Sequence, residues 1–165
     1  MTVHLWRIAT DTPSYTAEDM GGKGAAARGA RWNSPSERVT YTATNIALAA
    51  WETRAHLGRA GTRLPFNRYL VRVDVPDAVW AVRVQTPRPL PVGWNAIPEG
   101  MVSRGIGSTW LKSGASALYV VPSVIVEEES NVLINPAHAD AGKLVATKVR
   151  RFLYDARVCS RARSR

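Results

Sequence analysis

The segment Val39–Leu57, VTYTATNIALAAWETRAHL, decides the fold, because it joins a short strand to the clearest helix of the chain. Val39–Ala43 is rich in β-branched and aromatic residues, which favour a strand. Thr44 or Asn45 then supplies a side chain that can cap the start of a helix. Apolar and small residues follow at helical spacing, so we predict a helix over Asn45–Leu57.

The predicted helix carries one acid, Glu52, and His56 follows it one turn later. Residues four apart lie on the same face of a helix, so the imidazole of His56 would be placed to orient the carboxylate. Taken alone, Glu52 would be a solvated helix carboxylate. In a pocket, a carboxylate in this position would stabilise a developing positive charge.

Strand-like segments make up most of the remaining chain, and Gly or Pro clusters separate them. We predict strands at Val3–Ala9, Arg68–Val75, Val79–Val84, Ala117–Val121 and Asn131–Ile134, with a final strand or hairpin over Lys143–Val149 and Phe152–Tyr154. The Gly-rich stretch 10–30 is predicted to be a loop. Gly105 and Gly107 weaken a helix over Gly100–Ser113, which we expect to be broken. The tally predicts an α+β fold with short mixed or antiparallel strands and few helices.

The length of 165 residues predicts a single compact domain. Cys159 is the only cysteine, so an intrachain disulfide is excluded, and the composition is typical of a protein from a reducing cytoplasm. The sequence has no apolar run of the roughly 20 residues that span a bilayer. We therefore predict a cytoplasmic protein without membrane contact.

The net charge of +9 leaves several partners open: nucleic acid, a phosphorylated small molecule or an acidic protein. A basic module that binds nucleic acid or docks a partner without catalysis is the alternative to an enzyme. The six tryptophans are dispersed, and no recognition helix or RNA-binding motif is present, which argues against direct nucleic-acid binding. Several arginines crowd the C-terminal end, and we assign 159–165 as a basic tail.

Two common kinds of site are not supported. Gly21–Gly29, GGKGAAARG, lacks the Ser or Thr after its lysine and the spacing of a phosphate-binding loop. The three histidines, His4, His56 and His138, are scattered and have no second ligand at zinc-like spacing. We therefore expect no metal.

A set of further segments has a characteristic order along the chain. These segments are Arg7 within LWRI, Gly29–Asn33 (GARWN), the strand carrying Tyr41, the Glu52 helix, Pro122–Ser123, and Asn131–Pro136 (NVLINP). Each alone would be an ordinary strand, turn or helix segment. In this order they resemble the RES-domain toxins, from about Val3 to Asp155. That family is named for an Arg, a Glu and a Ser.

The resemblance implies a fold similar to that of the diphtheria-toxin-like ADP-ribosyltransferases, an activity that consumes NAD⁺, and an antitoxin partner with an Xre-like DNA-binding region. A RES-like catalytic domain would then occupy 1–158. The acceptor of the ADP-ribosyl group, whether protein, phosphate or water, stays open. Ala30, Trp51 and Arg54 depart from the common pattern of the family, which would alter the acceptor or antitoxin surface.

The resemblance also assigns roles to individual residues. Four are implied as catalytic, namely Arg31, Tyr41, Glu52 and Ser123; cofactor-binding roles fall on Arg7, Arg31, Tyr41 and Asn135; His56 would support Glu52. Glu52 would stabilise the oxocarbenium-like ribose that forms as nicotinamide leaves. The two arginines would hold the pyrophosphate or ribose, Tyr41 would stack on nicotinamide, and Ser123 would orient the nicotinamide side or Glu52.

Overall fold

The structure, a computed structural model, describes residues 2–57 and 65–158. The predicted basic tail, 159–165, lies outside the described residues. The strands are β1 (Thr2–Thr10), β2 (Thr40–Ala43), β3 (Arg68–Pro76), β4 (Val84–Gln85), β5 (Leu118–Pro122), β6 (Ser130–Ile134) and β7 (Val145–Arg151). The helices are α1 (Lys23–Arg28), α2 (Ile46–His56), α3 (Asp77–Ala81) and α4 (Met101–Ser113), with 3₁₀ turns at Ala139–Lys143 and Ala156–Val158. Within 2–57 and 65–158 no helix has the length and apolarity required to cross a bilayer.

The seven strands form one sheet in the order β4-β5-β6-β2-β1-β3-β7. Every pairing is antiparallel except β4 with β5, which is parallel. The longest ladder joins β1 to β3, from Thr2 opposite Pro76 to Thr10 opposite Arg68. The prediction of a single α+β domain with a mixed sheet and few helices is confirmed.

Helix α2 packs on the sheet through Leu48 and Ala49, which are buried in a cluster with Ile8, Ala43 and Leu70. Its start is fixed by Asn45, the second of the two predicted caps. The Asn45 side-chain oxygen accepts a hydrogen bond from the Leu48 amide at 2.8 Å. This cap satisfies one of the amides that the first helical turn leaves without a partner.

Three local predictions of a loop or a strand were wrong. The Gly-rich stretch contains α1, whose run of alanines favours a helix. Val79–Val84 is divided between α3 and the two-residue strand β4, because Pro76 and Asp77 begin a helix that buries Val79. Phe152–Tyr154 forms no strand; its aromatic rings pack instead on the cluster beneath α2.

Helix α4 is continuous, contrary to the prediction that its glycines break it. Gly107 lies against the main chain of Trp32, and an added Cβ at this position would stand 1.8 Å from the Trp32 carbonyl oxygen. Gly105 has open space where a Cβ would be. The glycine at 107 therefore permits a close helix-to-chain contact, which offsets its weak helix propensity.

We predict opposite effects for two substitutions in α4. Gly107→Ala should lower the free energy of unfolding by about 3 kcal/mol or more, because the methyl group overlaps main-chain atoms that cannot rotate away. Gly105→Ala should raise it by up to about 1 kcal/mol through helix propensity alone. Urea denaturation of both variants measures the difference. Equal effects would contradict the close contact at Gly107.

Candidate functional site

A cavity of about 450 Å³ opens between the sheet and the helices α1 and α2. Residues of β1 and β2 form its floor, and Glu52 and His56 of α2 lie on its wall. Its charged lining residues are Arg7, Asp19, Lys23, Arg28, Glu52 and Arg68. Four cations against two acids make the cavity suited to an anionic ligand.

Glu52 is held by two side chains that come from distant parts of the sequence. The Ser123 hydroxyl donates to Glu52 Oε1 at 2.8 Å, and Asn131 Nδ2 donates to the same oxygen at 2.5 Å. Among the described residues, no group donates to Oε2. The carboxylate is therefore fixed through one oxygen, and the other is available to a ligand.

Ser123 is fully buried, and its oxygen accepts hydrogen bonds from the amides of Ile125 and Val126 at 3.0 and 3.1 Å. Two amides on the oxygen direct the hydroxyl proton toward Glu52. Ser123 follows the end of β5, and the turn that it starts leads into β6. The side chain acts as a fixed donor to the carboxylate.

The same turn is attached to the start of α2. Glu129 accepts a hydrogen bond from Asn45 Nδ2 at 2.8 Å, while the Glu129 carbonyl accepts from the Ser123 amide at 3.0 Å. Asn131 is paired with Ala43 in the β2–β6 ladder. The helix cap, the turn and the ladder thus place both donors against Glu52.

The sequence led us to expect that the His56 ring orients the Glu52 carboxylate. In the structure the ring bonds to the main chain of Glu52 instead. Its Nδ1 lies 2.7 Å from the main-chain carbonyl oxygen of Glu52. A carbonyl can only accept, so Nδ1 carries the proton and, in the neutral ring, Nε2 carries the lone pair. The i,i+4 spacing correctly placed His56 one turn after Glu52. Its ring contacts the main chain of Glu52 and not the side chain.

Tyr41 and Arg7 both line the cavity. The Tyr41 hydroxyl donates to Asn33 Oδ1 at 2.9 Å and accepts from the Trp32 amide at 3.0 Å, and burial raises the pKa of this phenol. Arg7 Nη1 donates to the Asp19 carbonyl at 3.0 Å. Burial lowers the pKa of the Arg7 guanidinium, and the nearby Asp19 carboxylate partly offsets the effect.

Arg31 and Asn135 are not brought to the cavity wall. The Arg31 guanidinium donates to the carbonyls of Trp94 and Ala96 at 3.2 and 3.0 Å. Asn135 accepts from the Ala137 amide at 3.0 Å within a turn after β6. Their cofactor-binding roles, and the catalytic role of Arg31, stay predictions.

The polar lining residues that were missed from the sequence include Lys23, Arg28, Arg68 and Asn131. The first two lie in the glycine-rich stretch whose phosphate-loop spacing fails, so their cations were given no role. Asn131 begins the quoted NVLINP segment, but only the strand register of β2 and β6 distinguishes it from Asn135. Arg68 gave no signal beyond its place at the start of a strand. No cluster of three or more potential metal ligands occurs in the described ranges.

The model of the RES domain matches residues 4–155. The chain belongs to the RES domain family. A protein named Prs ADP-ribosylating toxin, from Sphingobium sp. (strain YBL2), is 52% identical over 163 residues, which cover 98% of this chain and 100% of that protein. A protein named Toxin Res, from Yersinia enterocolitica, is 32% identical over 124 residues, or 75% of this chain and 79% of that protein.

A similar fold is seen in a solved structure, a crystal structure of the M. tuberculosis MbcT–MbcA toxin–antitoxin complex. The TM-score is 0.66 at 15% identity, and the match covers 91% of this chain and 85% of the other. At this identity the likeness concerns the fold alone. The resemblance to the RES family, drawn from the order of motifs, is confirmed.

Substituting Asn131 tests its contact with Glu52. In Asn131→Asp, two adjacent carboxylates repel, which raises the folded-state pKa of the introduced carboxyl group above its unfolded value of about 4. The folded state then binds more protons than the unfolded state, so stability falls as pH rises from about 4 toward 7. We expect a loss of about 1–3 kcal/mol at pH 7, and a smaller loss at pH 4. Asn131→Ala adds no charge, so its deficit should change less with pH than that of Asn131→Asp. Denaturation at both pH values checks this, and equal pH dependence of the two variants would contradict it.

Proposed function

We propose that this RES protein is an intracellular toxin that cleaves the nicotinamide–ribose bond of NAD⁺ and transfers ADP-ribose to an acceptor. The observation that carries the proposal is the Glu52 carboxylate, held through one oxygen on the wall of a cationic cavity. The cavity volume falls within the range of small-molecule sites, about 300–1,000 Å³.

The chemistry needs a fixed negative charge beside the ribose. The electron pair of the nicotinamide–ribose bond leaves with neutral nicotinamide, and positive charge develops on the ribose ring. A carboxylate already in place stabilises that charge without reorganising during the reaction. In this proposal Oε1 is occupied by Ser123 and Asn131, and Oε2 meets the ribose. The acceptor then forms the new bond to the anomeric carbon and loses a proton.

The remaining residues would bind and orient the dinucleotide. Arg7, Lys23 and Arg28 line the cavity, and their charges suit a pyrophosphate. The Tyr41 ring would stack on nicotinamide, while its hydroxyl keeps the bonds to Asn33 and Trp32 described above. Ser123 and Asn131 are positioning residues for Glu52 in this account.

Arg31 and His56 take more distant roles in the same account. Arg31 donates hydrogen bonds to the carbonyls of Trp94 and Ala96. It would bind a ligand only if it released these two carbonyls. His56 lines the cavity, and its Nε2 would accept the proton that the acceptor loses. Asn135 would act through the turn after β6 rather than by touching NAD⁺.

Similarity over the full length supports a protein acceptor. The relative that is 52% identical is named for ADP-ribosylation of Prs, and we propose that this chain modifies the same kind of target. We also propose that an antitoxin with an Xre-like region neutralises it, which is in keeping with the toxin–antitoxin complex formed by its structural neighbour. A cytoplasmic location follows from both proposals.

Replacing one carboxylate tests the reaction. Glu52→Gln keeps an oxygen that accepts from Ser123 and Asn131 but removes the charge, so nicotinamide release from NAD⁺ should fall by about 10²–10³-fold. Glu128→Gln is the matched control, because it removes an exposed carboxylate from the turn after β5 and should retain the parent rate. Release by Glu52→Gln at the parent rate would contradict the catalytic assignment.

The acceptor is tested separately. Purified toxin, Prs and NAD⁺ should yield Prs carrying one added ADP-ribose by intact mass, with free nicotinamide in equal amount. Nicotinamide release without any modified Prs would reject this acceptor and leave the cleavage step standing. The Glu52→Gln variant should give neither product.

A further inference from the structure

The Glu52 cavity extends to Arg68, the first residue of β3, whose role is not accounted for by the residues around Glu52. Arg68 Nε is buried and has no hydrogen-bond partner within the described ranges. A guanidinium carries five donors and is always charged. A charged donor without a partner is unfavourable when it is buried, so Arg68, which lines the cavity, would gain from contact with an anionic ligand.

A second buried donor, on Tyr154, is near enough to Arg68 to interact with it electrostatically, although Tyr154 does not itself line the cavity. The Tyr154 hydroxyl is also buried and has no hydrogen-bond partner of good geometry in the described part of the chain. Burial raises the pKa of this phenol; the neighbouring Thr53 hydroxyl and the Arg68 and Arg54 guanidiniums partly offset the effect. The phenol therefore stays protonated near neutral pH and remains a donor.

Main-chain and ring contacts hold these two donors in place. The Arg68 carbonyl accepts from the Phe152 amide at 2.8 Å, and the Phe152 and Tyr154 rings meet edge to face at 5.1 Å. Thr53, one residue after Glu52, lines the same cavity as Arg68. The arrangement is thus built on β3, α2 and the chain after β7.

Among the described residues, neither acid of the cavity lining forms an ion pair with Arg68. Of the described lining residues, Asp19 and Glu52 are the two acids. Asp19 accepts from the Gly21 amide at 2.6 Å and lies 3.6 Å from Lys23 Nζ. Glu52 accepts from Ser123 and Asn131. The charge of Arg68 is therefore left for an anionic ligand.

We infer that Arg68, assisted by the Tyr154 hydroxyl, forms a subsite for a phosphate group at the end of the Glu52 cavity. A phosphate offers several acceptor oxygens and matches the planar fork of a guanidinium. The guanidinium can only donate, and the phenol adds a further donor, which favours a ligand group rich in acceptor oxygens. The inference rests on the proposed function only for the origin of that phosphate, either the pyrophosphate of the dinucleotide or a phosphate that enters as acceptor.

Equilibrium binding tests the subsite without requiring turnover. The probes are ADP-ribose, inorganic phosphate and nicotinamide riboside, which lacks phosphate, and titration calorimetry measures each affinity. Arg68→Gln should lower the affinity for the phosphate-bearing probe that uses the subsite by about tenfold to a hundredfold. The affinity for nicotinamide riboside should not change. Tyr154→Phe keeps the ring and should lower the affinity for the same phosphate-bearing probe severalfold. Arg72→Gln is the matched control, since Arg72 lies on the same strand, pairs with Asp74 and does not line the cavity.

The two possible origins of the phosphate, the pyrophosphate of the dinucleotide and an acceptor phosphate, predict different results. A pyrophosphate subsite predicts that inorganic phosphate competes with ADP-ribose and that Arg68→Gln weakens both. An acceptor subsite predicts that the two probes bind together and that Arg68→Gln weakens phosphate alone. Unchanged affinity of both probes in Arg68→Gln would overturn the subsite while leaving the proposed function intact. A parent protein that binds neither probe would overturn both.

Thermal stability separates this subsite from a purely structural role. Because Arg68 has an unsatisfied buried donor, Arg68→Gln without ligand should melt at the parent temperature or above it. The phosphate-bearing probe that uses the subsite should raise the melting temperature of the parent and of Arg72→Gln. It should raise the melting temperature of Arg68→Gln much less. A ligand-free Arg68→Gln that melts well below the parent, with an undiminished shift on adding the probe, would show a structural role instead.

Discussion

The pair of hydrogen bonds that Ser123 and Asn131 donate to one oxygen of Glu52 is the interaction on which the site depends. A partly buried carboxylate needs donors to offset the loss of water. Here the donors come from the end of β5 and the start of β6, whereas Glu52 stands on α2. The two bonds therefore join the helix to the sheet at the same point where they fix the charge.

Several independent features of the fold converge on that contact. Leu48 and Ala49 seat α2 on the sheet, and Asn45 both caps the helix and contacts Glu129 in the turn after Ser123. The β2–β6 register then sets Asn131 opposite Ala43. Together these constraints hold Glu52 through Oε1 on the cavity wall and leave Oε2 for a ligand.

The elements that depend only on residues close together in the sequence could be predicted from it. The strand at 39–43, the Asn45 cap and the α2 helix follow from propensity, spacing and capping. The partners of Glu52 depend on contacts between distant segments, and only the resemblance to the RES family supplied Ser123. The choice between Asn131 and Asn135 required the strand register. The direction of the Arg31 side chain depends on the carbonyls of Trp94 and Ala96, which are distant in the sequence. The continuity of α4 depends on the close contact of Gly107 with Trp32.

The most direct test of the account is a crystal structure of the Glu52→Gln variant with NAD⁺ bound. The account predicts that the nicotinamide ribose lies in the cavity, with its anomeric carbon or a ribose hydroxyl within about 3–3.5 Å of the side chain at position 52. The phosphates should lie among the cations of the lining. NAD⁺ bound elsewhere, or bound with its ribose turned away from position 52, would contradict the claim that this carboxylate stabilises the developing charge.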